Sequence, residues 1–241
     1  MGTVCVVAGA SLAALVAGQA LAAEPSHQQH VLITQVPPSA ADLQRYTGLH
    51  AAAVRGDAAE IRRLLAQGMN PDARDGHGRT PLHVAAFQAQ YEAARALVQG
   101  GADPNALDVQ RYDIVTIAAV KDDVAMVKLA LALGTSPRNV TSPYDGTALI
   151  AAAHLGHEGV VRELISAKAP LDHVNNLGWT ALIEAVVLGD GGPRHVATVR
   201  ALVDAGARID LADRQGVTPL VLAQQRGFGP MVAILERAGA R

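Results

Sequence analysis

Two pairs of histidines have the residue type and spacing that could bind a metal or transfer protons. His154 and His157 lie three residues apart, and so do His27 and His30. Zinc in proteins takes three or four converging ligands, and neither pair supplies that number by itself. We therefore expect His154 and His157 to serve the fold, and His27 and His30 to be solvated in a tail. A metal-binding protein is the less favoured alternative.

A glycine-rich segment, Gly189–Arg194, has a composition that could cradle a phosphate group. It lacks the Gly-Lys-Ser/Thr ending of a phosphate-binding loop, and no buried strand precedes it. The sequence favours a longer loop between two helices, because Gly191-Gly192-Pro193 cannot continue a helix. No Ser-His-Asp set and no His-Glu-x-x-His motif can be argued in this chain. We expect no enzyme and no cofactor, with a hydrolase built on this loop and nearby histidines as the alternative.

The elements that must position these residues recur with a nearly constant period. Residues able to cap a helix, by accepting a backbone N–H bond, follow one another at intervals of 33, 33, 34, 33 and 38 residues. Each is followed two positions later by Leu or Val and five positions later by Ala. Such a period is the signature of a stacked repeat array. The capping residues are Thr47, Thr80, Asp113, Thr147, Thr180 and Thr218.

The repeat that begins at Thr80 carries a family resemblance. This repeat resembles an ankyrin repeat, which has the same period. The resemblance lies in two motifs, Thr80-Pro81-Leu82-His83-x-Ala85-Ala86 and the later Gly101-Ala102-Asp103-x-Asn105. The resemblance covers about residues 42–241. It implies an all-α ankyrin-repeat solenoid of about six helix-turn-helix repeats with hairpin loops, and a function in binding a partner protein.

A narrower resemblance concerns the later repeats. The later repeats are similar in sequence to small exported bacterial ankyrin proteins. The similarity lies in the order of three motifs: Asp145-Gly-Thr-Ala-Leu, His154-Leu-Gly-His157 and Asn175-Asn-Leu-Gly-Trp179. This similarity implies the periplasm, and it suggests support of an oxidative-stress enzyme such as a catalase. It does not name the partner.

The first residues of the chain predict export. Residues 1–22 contain an apolar run followed by Ala20-Leu21-Ala22, a small-x-small cleavage site, and so resemble a Sec-type signal peptide. The usual basic start is missing, since no Lys or Arg precedes Arg45. An uncleaved membrane anchor is the alternative. Cys5, the only cysteine, would be removed with the signal peptide, and residues 23–41 are expected to form a flexible lead-in.

Charge and composition narrow the class of partner. The net charge is −2 with both signs scattered, so no basic stripe is present to hold phosphates, and we expect no nucleic acid. Aromatic residues make up only 3% of the chain, which leaves Ala, Leu and Val to build the core. We expect a monomeric periplasmic or secreted protein that contacts a membrane only if its first segment is retained.

Two local expectations follow from the alignment of the repeats. Lys168 stands where the other repeats have glycine at a helix end, and it should therefore adopt a left-handed conformation. Acidic or amide residues stand five positions before the next cap, where their side chains can tie a turn: Asp75, Asp108, Asn175 and Asp213.

Aromatic and arginine side chains provide the candidate binding site. In the ankyrin fold, the hairpin tips and the exposed ends of the first helices form a concave binding face. Trp, Tyr and Arg are enriched at the energetic centres of interfaces. The residues expected on this face are Tyr46, Arg79, Phe87, Tyr112, Tyr144 and Trp179. Packing of these rings between neighbouring hairpins is the alternative.

Overall fold

The computed structural model describes residues 35–241. The proposed signal peptide, His27 and His30 lie outside the described residues. So does most of the expected lead-in, but its last part is bound to the repeats. Residues 35–39 form neither helix nor strand, and Ser39 begins helix α1 (Ala40–Arg45) with a capping box, in which Ser39 and Asp42 each accept the other's backbone N–H.

Pairs of short helices follow α1 and repeat along the described part of the chain. Each repeat has a first helix and a second helix, joined by a tight turn in every repeat but the fifth. The pairs are α2 (Gly48–Arg55) and α3 (Ala58–Ala66), α4 (Pro81–Phe87) and α5 (Tyr91–Gln99), α6 (Ile114–Val120) and α7 (Val124–Ala132), α8 (Ala148–His154) and α9 (Glu158–Ser166), α10 (Ala181–Val187) and α11 (Pro193–Asp204), and α12 (Pro219–Gln225) and α13 (Gly229–Arg237).

The predicted caps begin the first helices. Five of them accept a side-chain hydrogen bond from the backbone N–H three residues later: Thr80, Asp113, Thr147, Thr180 and Thr218. Thr47 also stands at the cap position, but its side chain makes no such bond. The sequence pattern therefore located the helix starts correctly and overestimated only the hydrogen bonding of the first cap.

The core forms because each first helix packs on the next first helix and each second helix on the next second helix. The alanine five positions after each cap is 0% exposed in every repeat. A methyl group at this position lets neighbouring helices approach closely while still removing apolar surface from water. The six alanines are Ala52, Ala85, Ala118, Ala152, Ala185 and Ala223.

The second helices end as expected at a left-handed residue. Lys168 has φ 64°, while Gly134 and Gly206 hold the equivalent position with φ 101° and 90°. A left-handed backbone brings Cβ close to the following carbonyl oxygen, so glycine is the usual residue there. The prediction for Lys168 is confirmed.

The insertion in the fifth repeat differs from its prediction. Helix α11 begins at Pro193 and is 12 residues long, whereas the other second helices have 9. Proline cannot continue a helix but fits its first position, where no N–H is needed. The added residues therefore lengthen a helix as well as the loop at 188–192.

In residues 35–241 no helix is long and apolar enough to span a membrane.

Candidate protein-binding face

The loops between repeats and the C-terminal ends of the first helices lie side by side, and we call this surface the hairpin face. Each loop is tied by one side chain that accepts two backbone N–H bonds. Asn175 Oδ1 accepts from Leu177 and Trp179 at 3.0 Å. Asp75, Asp108 and Asp213 bind the equivalent N–H groups at 2.8–2.9 Å. The turn-tying role predicted from the sequence is confirmed.

Backbone hydrogen bonds join successive loops. The Val109 N–H donates to the His77 carbonyl at 3.1 Å, the Ser142 N–H to the Arg111 carbonyl at 3.0 Å, and the Asn176 N–H to the Tyr144 carbonyl at 2.9 Å. These bonds fix the spacing of neighbouring loop tips. The hairpin face between repeats 2 and 5 is therefore a continuous, hydrogen-bonded surface.

Histidines at the His position of the Thr-Pro-Leu-His pattern bind carbonyl groups of these loops. The Nε2 atoms of His50 and His83 lie 3.0 Å from the carbonyls of Arg79 and Tyr112. His83 is buried and its Nδ1 accepts the Thr80 N–H at 3.1 Å. Nε2 therefore carries the proton and donates it to Tyr112. Burial lowers the pKa of His83, so the ring stays neutral.

Arg79 does not lie on an exposed surface, and the prediction that it is accessible to a partner is wrong. Its side chain is 1% exposed. The guanidinium donates to Asp75 Oδ2 at 2.7 Å, to Asp42 Oδ2 at 3.2 Å and to the Val36 carbonyl at 3.1 Å. Arg79 thus fastens α1 and the segment before it to the second repeat.

Tyr46 belongs to the same buried polar cluster. Its hydroxyl donates to Asp75 Oδ2 at 2.6 Å, and the ring is only partly exposed. Burial, together with this bond to a carboxylate, raises the pKa of Tyr46. Burial also acts to raise the pKa of Asp75, but the hydrogen bonds from Tyr46 and Arg79 outweigh it and hold that pKa below its usual range. Asp75 is therefore a charged acceptor for both side chains.

Tyr112 and Phe87 are also buried, at 1% and 7% exposure, so the predicted exposure is wrong for both. Both rings belong to the hydrophobic core. The Tyr112 hydroxyl is buried with no hydrogen-bond partner in the described part of the chain. Burial and the nearby charge of Asp108 raise the pKa of Tyr112 to about 12.

Tyr144 and Trp179 are the predicted aromatic residues that remain accessible outside the Arg79 cluster. Both are partly exposed, and Trp179 also packs against the core. They lie on adjacent loops, since the Tyr144 carbonyl accepts from Asn176 at 2.9 Å and the Pro143 carbonyl accepts from the Asn176 side chain at 3.1 Å. The structure therefore brings these two rings to the same part of the hairpin face.

The sequence reasoning did not predict a buried polar cluster next to this region. Glu184 is 2% exposed; its Oε2 lies 3.0 Å from His154 Nδ1, and its Oε1 accepts from Asn175 Nδ2 at 2.8 Å. The signal was present in the sequence, because Glu184 stands four positions after its cap, where other repeats have apolar residues such as Val84 and Ile117. A charge at that position predicts a buried partner.

Two further histidines also bond within the fold. His157 Nδ1 lies 2.8 Å from the Ala119 carbonyl, and His195 Nε2 lies 3.0 Å from the His154 carbonyl. Within residues 35–241, no group of three or more His, Cys, Asp or Glu side chains is arranged to hold a metal ion.

These repeated helix pairs, tied loops and loop-supporting histidines define an ankyrin array, and comparison with known families agrees. The family model described as ankyrin repeats (3 copies) matches residues 20–108 and 115–213. The chain belongs to the ankyrin-repeat family. Ankyrin repeats are a protein-interaction fold, typically without enzymatic activity.

Individual relatives match part of the sequence. The chain is 36% identical over 125 residues to the ankyrin repeat protein YahD of Escherichia coli K12, a match covering 52% of this chain and 62% of YahD. It is 34% identical over 110 residues to the ankyrin repeat and KH domain-containing protein mask-1 of Caenorhabditis elegans, covering 46% of this chain and 4% of mask-1. The matches thus span less than two thirds of each of these two relatives.

A solved structure extends the likeness over more of the chain. The crystal structure of an ankyrin repeat domain from Acinetobacter baumannii AYE has a TM-score of 0.76 and 41% identity to this chain. The alignment covers 80% of this chain and 98% of that domain. The all-helical repeat fold expected from the sequence is therefore confirmed.

Proposed function

We propose that this protein binds a partner protein through the part of the hairpin face that carries Tyr144 and Trp179. The observation that carries the proposal is the pairing of these two accessible rings on loops joined by the Asn176–Tyr144 backbone bond. Aromatic side chains in such positions bury large areas at a low cost in side-chain entropy. The ankyrin family membership supplies the class of function.

The surroundings of Trp179 suit an anchor residue. Its backbone N–H is fixed by Asn175 at 3.0 Å, and Asn175 is in turn held by the buried Glu184 at 2.8 Å. A ring on a loop that is already ordered loses little further freedom when a partner binds. The Glu184–Asn175 bond is thus a support beneath the proposed site.

The test compares two substitutions in the same repeat. Trp179→Ala should weaken partner binding by about 2 kcal/mol or more, typical of a central aromatic anchor. Leu182→Ala, at a core position that is 1% exposed, should instead lower the free energy of unfolding by about 2–5 kcal/mol. Partner affinity by calorimetry and thermal melting of both variants separate the two effects.

A matched control uses an exposed aromatic away from this face. Tyr91 lies on helix α5 with 38% exposure. Tyr91→Ala should leave partner affinity unchanged. If Trp179→Ala melts early while its folded fraction binds normally, Trp179 is a packing residue and the binding face lies elsewhere.

We further propose that the protein acts in the bacterial envelope, on the basis of the apolar start and Ala20-Leu21-Ala22. An oxidative-stress enzyme such as a catalase is the first partner to test, a suggestion that rests on resemblance alone. Intact mass of the protein isolated from the periplasmic fraction should give an N-terminus at Ala23, within one residue. Recovery of Met1 in a membrane fraction would instead support a tethered scaffold.

A further inference from the structure

A groove on the hairpin face is covered in part by residues 35–38 of the same chain. The segment 35–38, which forms neither helix nor strand, lies against repeats 2 and 3, far from it in sequence. The Gln35 side-chain amide donates to the Thr116 carbonyl at 3.1 Å across 81 residues. The Val36 N–H donates to Gln110 Oε1 at 3.2 Å across 74 residues. We call residues 35–38 the strap.

The contacts with Val36 involve the strap's main chain. The carbonyl of Val36 accepts from Arg79 Nη1 at 3.1 Å, while its N–H binds Gln110. Both partners are side chains of the repeats and bind backbone groups, so a different extended segment could make the same two bonds. A buried guanidinium held by Asp75 and Asp42 is a preorganised donor for such a carbonyl.

The two prolines of the strap lie in different environments, and Pro37 is exposed to solvent. Pro38 is buried, and Gln35 and Pro37 line a cavity of about 300 Å³ with Phe87, Val120 and Lys121. Proline has no backbone N–H, so burying Pro38 leaves no donor unsatisfied. The residue before a proline is already biased to an extended conformation, which lowers the entropy lost on binding.

We propose that this groove is a binding site for an extended, proline-containing segment of a partner protein, and that the strap occupies it until such a segment displaces it. The inference rests on the proposed protein-binding function and names the chemistry of the partner. Because the strap is tethered, it competes at an effective concentration on the order of millimolar. The apparent affinity for a partner is therefore reduced by the fraction of molecules in which the groove is open.

The probe is a fluorescein-labelled peptide with the sequence of residues 34–40, Thr-Gln-Val-Pro-Pro-Ser-Ala, added to the full chain. The double substitution Gln35→Ala with Pro37→Gly removes the bond to Thr116 and the proline contact in the cavity. Fluorescence anisotropy should show peptide binding at least about 10-fold tighter to this variant than to the unaltered chain. A control peptide with both prolines replaced by alanine should bind at least about 10-fold more weakly, because it brings an unpaired N–H to the buried position of Pro38.

A groove substitution and an exchange measurement keep the proposal falsifiable. Val120→Glu, added to the strap-weakened variant, should abolish peptide binding while the helical circular dichroism is retained. In the unaltered chain, excess peptide should speed hydrogen exchange at the Val36 amide, because its bond to Gln110 is broken. The hydrogen-exchange measurement uses the unaltered chain, so it tests the proposal even if Val120→Glu fails to fold.

Two results would overturn the proposal: no peptide binding to the strap-weakened variant, or binding that leaves the Val36 amide protected. Neither depends on Trp179. If the peptide displaces the strap but Trp179→Ala has no effect on partner affinity, the groove is supported and the proposed Tyr144–Trp179 site is not. The reverse pattern would retain that site and reject the groove.

Discussion

The guanidinium of Arg79 lies 2.7 Å from the carboxylate of Asp75 inside the protein, with the two side chains 1% and 10% exposed. Both residues belong to the loop that precedes α4. Asp42 of α1 and the Val36 carbonyl complete the shell around Arg79. An arginine predicted to face a partner instead holds the N-terminal segment on the array.

Arg79→Ala should therefore lower the free energy of unfolding by about 3–5 kcal/mol, because it leaves Asp75 and Asp42 without their shared cation. Arg111→Ala is the matched control. Arg111 pairs with Asp145 at 2.7 Å, but the two side chains are 48% and 47% exposed. Its loss should cost only about 0–1 kcal/mol. Equal urea midpoints for the two variants would contradict the buried role of Arg79.

Lys168→Gly should be neutral or raise the free energy of unfolding by up to about 1 kcal/mol, because relief of the Cβ strain at φ 64° offsets the added freedom of the unfolded chain. Gly206→Ala is the reverse test at the equivalent position, with φ 90° and no atom near the added Cβ. It should lose about 1 kcal/mol from backbone strain alone. Chemical denaturation of both variants measures the pair, and a lower midpoint for Lys168→Gly would show that the lysine side chain stabilises this turn.

His83 should make stability fall as the solution is acidified. Its folded pKa is depressed by burial, so the native state keeps the ring neutral while the unfolded state takes up a proton. The His83 contribution is fully present above the unfolded pKa of about 6.5, and it is lost as the pH falls from there toward the folded pKa. Urea unfolding at pH 7.5 and pH 5.5 should show a smaller difference between the unaltered chain and His83→Asn at the lower pH. A difference that does not change with pH would mean that His83 does not contribute in this way.

Tyr112→Phe should raise the free energy of unfolding by about 1 kcal/mol, because it removes a buried hydroxyl that has no partner within residues 35–241. Tyr46→Phe is the counterpart. It deletes a hydroxyl bonded to Asp75 at 2.6 Å, and should cost about 1.5–3 kcal/mol, as for hydrogen bonds to charged groups. Thermal melting compares them, and destabilisation by Tyr112→Phe would mean that its hydroxyl is satisfied.

The repeat period located the helix starts, the six buried alanines and the left-handed Lys168, because each depends on residues within one repeat or on the same position in the next. Thr80 caps α4 through a bond to His83, three residues away. Asn175 ties its own loop through the residue four positions on. Interactions over such short separations leave a regular trace in the sequence.

The exposure of the loop-tip residues was decided only by the tertiary structure. Arg79, Tyr112 and Trp179 hold the same position before their caps, yet the first two are buried and the third is partly exposed. Arg79 is covered by groups 37 and 43 residues earlier, and the strap reaches Thr116 across 81 residues. Nothing in the repeat pattern encodes those neighbours, because burial depends on which distant surfaces meet at a residue and not on that residue's type.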